Sequence, residues 1–317
     1  MQLELKNINK SYGEKHVLKG INLKAESGRA LGLLGRNGAG KTTTIRILMD
    51  VFGADSGEIL LDGKPLDHNK INMGYLPEER GLYPKKKIGE QLIYLAQLKG
   101  MTKAAAAEAV VLWLKRLGMS EYKDVRLDTL SKGNQQKIQL ITAVIHNPDI
   151  VVLDEPFSGL DPVNAMILED VVKREINAGK IVLFSSHQMN YVEEFCDNIA
   201  ILNGGEIVLS GEIREIKHSY TRDKLVIRSE KPNAIRSAYG DAITEREDGS
   251  LLLKMSSPED KKQTIQEIVS KYEVDEIRVF EPTMNDIFVE YTDDRAETIG
   301  DSADTGVGAG ESEVVDE

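Results

Sequence analysis

The chain has 317 residues, of which 41% are hydrophobic and 29% charged. That excludes disorder of the whole chain and allows two domains, or one with an appendage, at roughly 100–200 residues each. The net charge is −12, but nine Asp or Glu against one Arg lie in residues 292–317, so most of the excess is local. No basic excess points to nucleic acid.

Uninterrupted apolar runs such as Ile150–Leu153 and Ile181–Phe184 fall far short of the ~20 residues of a membrane span. The N-terminus is charged and alternating, unlike a secretory signal. One cysteine, Cys196, excludes an internal disulfide framework and fits a reducing cytosol, where it reads as a core residue.

In chain order, QLELKNI and HVLKGINLKA alternate as strands about a turn at Tyr12-Gly13. ALGLLG is an apolar strand, followed by a Gly-rich loop and a helical TTTIRILMDVF. EILLDGKPL is a strand running into an Asp-Gly turn. EQLIYLAQLKG and KAAAAEAVVLWLKRLG are helices, with Thr102 as the N-cap of the second and Trp113 in its packed face. IVVLD and KIVLFSS are continuous apolar strands of a buried parallel sheet. The alternation of strand and helix predicts an α/β fold with a helical insert.

After about Tyr220 come KLVIRSE (strand), PNAIRSAYG (helix), AITERE and SLLLKM (a hairpin at Asp248-Gly249), PEDKKQTIQEIVSKY (helix) and EIRVF (strand). This βαββαβ order predicts a small ferredoxin-like unit. PTMNDIFVEY reads as a helix with Pro282 near its first turn. The expected division is 1–220, 221–291, and an acidic disordered tail over 292–317.

Three motifs carry chemistry. Gly35-Arg36-Asn37-Gly38-Ala39-Gly40-Lys41-Thr42 fits G-x-x-x-x-G-K-[ST], followed by Thr43, between a strand and a helix. Its backbone N–H groups would cradle phosphate oxygens, Lys41 would bridge the β and γ phosphates of ATP, and Thr42 would offer its hydroxyl to Mg²⁺. Asp154 and Glu155 end a buried strand, where carboxylates are costly unless used: Asp154 to hold Mg²⁺, Glu155 to polarise water. His187 follows the tip of KIVLFSS and would face the same nucleotide.

Residues 1–220 resemble the ATPase subunits of ATP-binding cassette (ABC) transporters. The distinctive element is Leu130-Ser131-Lys132-Gly133-Asn134-Gln135-Gln136-Lys137, similar to the LSGGQ signature, with Lys132 and Asn134 as departures and Ser131 and Gly133 kept. The resemblance implies a P-loop NTPase ABC cassette with a RecA-like core, an antiparallel β subdomain and a helical subdomain. It also implies adenine stacking on Tyr12 and site coupling through Asp161. Glu78 stands where the family usually has a Mg²⁺- and water-sensing Gln.

In that family two cassettes sandwich two ATPs head to tail. The chain is therefore expected to need a second cassette, as a homo- or heterodimer, and integral membrane permease subunits at the cytoplasmic face of the cell membrane. Residues 221–291 look like the extension of export-type subunits of sodium and antibiotic efflux. The alternative is a soluble ABC ATPase of a translation or regulatory type, whose chains usually carry tandem cassettes; here there is one P-loop and one signature.

Overall fold

The computed structural model describes residues 1–79, 81–220, 223–246 and 248–292. The acidic tail expected over 292–317 lies outside the described residues except for Thr292, which is the buried last residue of a helix.

A first, antiparallel sheet has the order β2-β1-β4-β5, with β1 (Gln2–Tyr12), β2 (Lys15–Glu26), β4 (Ser56–Leu61) and β5 (Lys64–Pro65). The central sheet has the order β10-β9-β3-β8-β7-β6. Its strands are β3 (Ala30–Leu34), β6 (Met73–Leu76), β7 (Ile150–Asp154), β8 (Ile181–Ser186), β9 (Asn198–Asn203) and β10 (Glu206–Glu212). From β6 to β9 neighbouring strands are parallel, and β10 returns antiparallel on β9.

Strand alternation divides the central sheet between two cores. Leu31, Leu33, Val152 and Leu183 pack with the first sheet and with α1 (Lys41–Leu48). Leu34, Val151, Leu153 and Phe184 pack with the helical layer. Both faces are covered, which is why β7 and β8 read as unbroken apolar runs. The helical layer holds α2 (Ile88–Leu98), α3 (Lys103–Arg116), α4 (Lys132–Val144), α5 (Pro162–Asn177), α6 (Met189–Phe195) and α7 (Ile213–Ser219). Thr102 caps α3, its hydroxyl accepting from Ala105 N, and Trp113 is buried on that helix's packed face.

α1 is shorter than the TTTIRILMDVF pattern predicts. Asp50 takes a left-handed φ of 56°, and Val51 N–H donates back to Arg46 O, which ends the helix before Val51 and Phe52.

The third sheet is β12-β13-β11-β14, with β11 (Lys224–Arg228), β12 (Ile243–Glu245), β13 (Leu251–Lys254) and β14 (Glu276–Val279), all neighbours antiparallel. With α8 (Pro232–Tyr239) and α9 (Lys261–Lys271) this is the ferredoxin-like arrangement. The β12–β13 hairpin is not a two-residue turn. Arg246 N–H donates to Ser250 O, enclosing three residues, and Gly249 supplies the left-handed position at φ 76°.

α10 (Met284–Thr292) follows the third sheet in sequence but packs on the cassette. Met284 and Ile287 join the core of the helical layer, Met284 N–H donates to Glu193 on α6, and the Tyr220 hydroxyl donates to Glu290 at 2.9 Å. Pro282 lies two residues before this helix, near its first turn. Thr283 and Asp286 cap it reciprocally: Thr283 N–H donates to Asp286 Oδ2 (2.8 Å) and Asp286 N–H to Thr283 Oγ1 (3.1 Å).

His146, just past α4, ties that helix to β6. Its Nε2–H donates to Met73 O at 3.2 Å, while Nδ1 is buried without a hydrogen-bond partner among the described residues. Burial pulls its pKa from 6.5 down to about 4. Between those values the unfolded chain takes up a proton that the folded protein refuses. Stability present above pH 6.5 is therefore lost as pH falls towards 4, by up to about 3 kcal/mol. Thermal melts should show a shallower acid-side decline in His146→Gln than in the parent. Parallel declines would contradict this.

Candidate active site

Parallel β3, β8 and β7 lie side by side, so the segments leaving their C-terminal ends converge. β3 delivers the Gly-rich loop, β7 delivers Asp154 and Glu155, and β8 delivers His187. A cavity of about 380 Å³ opens there. Arg36, Asn37, Gly38, Gly40, Lys41, Thr42 and Thr43 line it, together with Tyr12, Glu78, Asp154 and Glu155.

The loop's shape follows from close packing. A Cβ on Gly35 would stand 2.6 Å from Leu202 O, so only glycine lets β3 turn there. Gly40 has φ 115°, and Ala39 is buried beneath the loop. No side chain caps α1, which leaves its first-turn N–H groups facing the cavity as anion donors. The buried Lys41 Nζ donates to Gly35 O at 2.7 Å and to Arg36 O at 3.4 Å.

Glu155 is the hub. Its carboxylate is 6% exposed, with Oε1 3.9 Å from Lys41 Nζ and Oε2 accepting from His187 Nδ1 at 2.9 Å. Its backbone is left-handed at φ 50°, a conformation that typically costs about 1–3 kcal/mol for a non-glycine residue. No helix begins at Glu155, since α5 starts at Pro162, so a helix-capping role for the acidic pair is excluded.

Ser185 fixes the pair, and the sequence reading passed over it. Its hydroxyl donates to Asp154 Oδ1 (2.5 Å) and accepts from Glu155 N–H (3.0 Å). The available signal was a serine pair ending an apolar strand just before His187. Burial raises the Asp154 pKa, opposed chiefly by the hydrogen bond from Ser185. Asp154 Oδ2 is buried with no hydrogen-bond partner among the described residues. A hard-oxygen pair with one orphaned carboxylate oxygen fits Mg²⁺, which binds through one or two carboxylates and substrate phosphates.

Gln139 was also missed. From α4 its Nε2 donates to both Pro77 O and Glu79 O at 3.0 Å, clamping the loop that carries Glu78. Tyr12 is half exposed and packs edge-on against Phe52, ring centroids 6.1 Å apart.

Ser131, Gly133, Asn134 and Asp161 do not join this cavity. Ser131 caps α4, accepting from Asn134 N–H at 3.4 Å. Asp161 caps α5, accepting from Asn164 N–H at 2.9 Å. A Cβ on Gly133 would lie 2.6 Å from Asn164 Nδ2, so the two caps abut. Beside them Val163 and Met166 are exposed on α5. No helix among the described residues is long and apolar enough to cross a membrane.

Comparison with known proteins gives the family. Residues 18–158 match the ABC transporter family model, and residues 211–292 match the C-terminal domain of DrrA1-3-like ATP-binding proteins. The uncharacterized ABC transporter ATP-binding protein YhaQ of Bacillus subtilis is 40% identical over 91% of this chain and 97% of its own. The linearmycin resistance ATP-binding protein LnrL of the same organism is 34% identical, covering 66% and 68%. The Nod factor export ATP-binding protein I of Cupriavidus metallidurans is 30% identical, covering 68% and 72%. Among solved structures, the dimeric cassette MJ0796 has a TM-score of 0.61 at 25% identity, covering 67% of this chain and 99% of its own. A second structure of that cassette is in a post-hydrolysis state with ADP and Pi. The chain belongs to the ATP-binding, ATP-hydrolysing subunits of ABC transporters.

Proposed function

We propose that this subunit drives export: it binds MgATP in the cavity, pairs head to tail with a second cassette, and couples hydrolysis to a separate permease at the cytoplasmic face of the membrane. The observation that carries the reading is the separation of parts. Lys41, Thr42, Asp154, Glu155 and Glu78 meet at one cavity, whereas Ser131, Gly133, Asn134 and Asp161 meet on a different surface beside exposed Val163 and Met166. A second chain brings that surface to the first chain's nucleotide, in either a homo- or a heterodimer. The export direction is supported by the linearmycin and Nod factor relatives.

In this reading Tyr12 stacks on adenine, and Gly35 to Thr43 wrap the phosphates with Lys41 on the β and γ groups. Thr42, Asp154 and Glu78 would hold Mg²⁺. Bound Mg²⁺ supplies charge neutralisation of the triphosphate. Glu155 accepts the proton of the attacking water, and His187 orients that carboxylate through Nδ1. The proposed division is a cassette over 1–220 and an accessory unit over 221–291, with α10 returning to the cassette.

Permease contact is assigned to the Glu78–Gly89 segment. Tyr83 is 55% exposed beside a hollow of about 350 Å³ shared with Tyr94, Lys86 and Glu90, and Tyr83 N–H donates to the buried Gln91. Tyr83→Ala should weaken co-purification with the permease and permease-stimulated turnover while sparing basal ATP binding. A hot-spot aromatic is worth about 2 kcal/mol, roughly thirtyfold in affinity. Unchanged co-purification and stimulation would reject Tyr83 as an anchor. An equal fall in basal nucleotide binding would make it a structural residue of the cassette.

A further inference from the structure

Helices α8 and α9 pack on one face of the third sheet. Leu225, Ile227, Leu251 and Leu253 pack there with Ile235 of α8 and Ile268 of α9. Alternation puts Lys224, Val226, Leu252, Lys254 and Arg278 on the opposite face. Val226 and Leu252 belong to none of the three buried clusters, although Val226 is only 3% exposed. Long cationic side chains and Phe280 surround them. The Lys224 ammonium and the Arg246 guanidinium both sit over the Phe280 ring, at 6.0 and 5.3 Å from its centroid.

Lys224 and Lys254 are direct cross-strand partners, and like charges in that relation are destabilising. Both line a hollow of about 510 Å³, with Asp241 at its edge. The other acids of this face are engaged: Glu276 with Arg278 at 2.9 Å and Asp248 with Arg228 at 3.1 Å. Among the described residues no ion pair holds Lys224, Arg246 or Lys254. A like-charged pair over a hollow whose lining includes the half-buried Leu252 is a receiver for an anionic extended chain.

The geometry points to residues 293–317 of this same chain as the occupant. They carry nine carboxylates and one arginine, with Val307, Val314 and Val315 as apolar residues for Leu252, which lines the hollow. They begin one residue after α10 ends, and at about 3.3–3.6 Å per residue ~25 residues reach as far as ~80 Å. Charge complementarity between the most acidic stretch of the chain and this cationic face selects the segment over a foreign partner. Docking there would occupy the sheet face and neutralise the Lys224–Lys254 repulsion.

The test is zero-length carbodiimide cross-linking of the full chain, which joins amines to carboxylates in direct contact, read by peptide mass mapping. Cross-links from 293–317 should concentrate on Lys224 and Lys254 rather than on Lys231, Lys262 and Lys271 of the helical side. They should fall roughly tenfold between 0.1 and 1 M salt, as the screening length contracts from about 10 to 3 Å. Lys254→Glu, at an exposed position, should also deplete the Lys224 cross-link severalfold. Cross-links spread evenly over exposed lysines, or confined to different chains in an isotopically mixed sample, would overturn the proposal. So would sedimentation with phosphatidylglycerol vesicles that requires Lys224 and Lys254 while the segment gives no cross-link to the face, which would assign the face to lipid.

Discussion

Glu155→Gln is expected to keep ATP bound while hydrolysis falls about 10²–10⁴-fold, the usual cost of removing a general base. The substitution keeps the side chain's size. A glutamine oxygen can still accept from His187 Nδ1, so the local arrangement survives. What disappears is the charge, and with it the ability to take a proton from water. The left-handed backbone at Glu155 is no worse for Gln than for Glu, so the melting temperature should change little. Steady-state phosphate release by the purified variant checks this. Near-normal turnover would move the base elsewhere, His187 being the nearest titratable group.

Lys41→Ala should fail earlier, at binding. Lys41 is the cavity's buried cation, 3.9 Å from Glu155 and hydrogen-bonded to the loop carbonyls of Gly35 and Arg36. Hydrogen bonds to charged groups are worth about 1.5–3 kcal/mol each, so ATP affinity should fall by roughly 10–150-fold. Equilibrium dialysis or nucleotide fluorescence separates the variants: Glu155→Gln binds and does not turn over, Lys41→Ala does not bind well. Affinity equal to the parent's in Lys41→Ala would remove the lysine from the phosphate site.

Much of the fold was legible because local and tertiary preferences agree. β7 and β8 are buried on both faces and read as apolar runs; α3 has its cap, its Trp113 face and its closing glycine. The βαββαβ order and the sheet it builds coincide. Where the sequence misled, tertiary contacts decided. α10 follows the accessory strands, yet Glu193, Tyr220 and the helical-layer core hold it on the cassette. Asp50 ends α1 without a glycine to announce it.

The site was legible where its chemistry sits on consecutive residues, as from Gly35 to Thr42 and at Asp154-Glu155. Ser185 and Gln139 were invisible for the opposite reason. Each acts on residues 30 to 62 positions away, through one hydrogen-bonding atom on an otherwise ordinary strand or helix. The meeting of Gly133 with Asn164 is likewise a packing contact that no spacing encodes.

The central claim is that two chains share each ATP, the Lys41–Glu155 cavity of one closed by the Ser131–Asn134 surface of the other. Light scattering on the purified Glu155→Gln chain, with and without MgATP, tests it most directly. The account predicts a monomer of about 35 kDa without nucleotide and twice that mass with ATP. Adding Ser131→Arg, which fills the surface that must meet the partner's phosphates, should abolish the doubling while ATP binding persists. A Glu155→Gln chain that binds ATP and stays monomeric at high protein concentration, both alone and with any second cassette that co-purifies with its permease, would contradict the account, as would a dimer indifferent to Ser131→Arg.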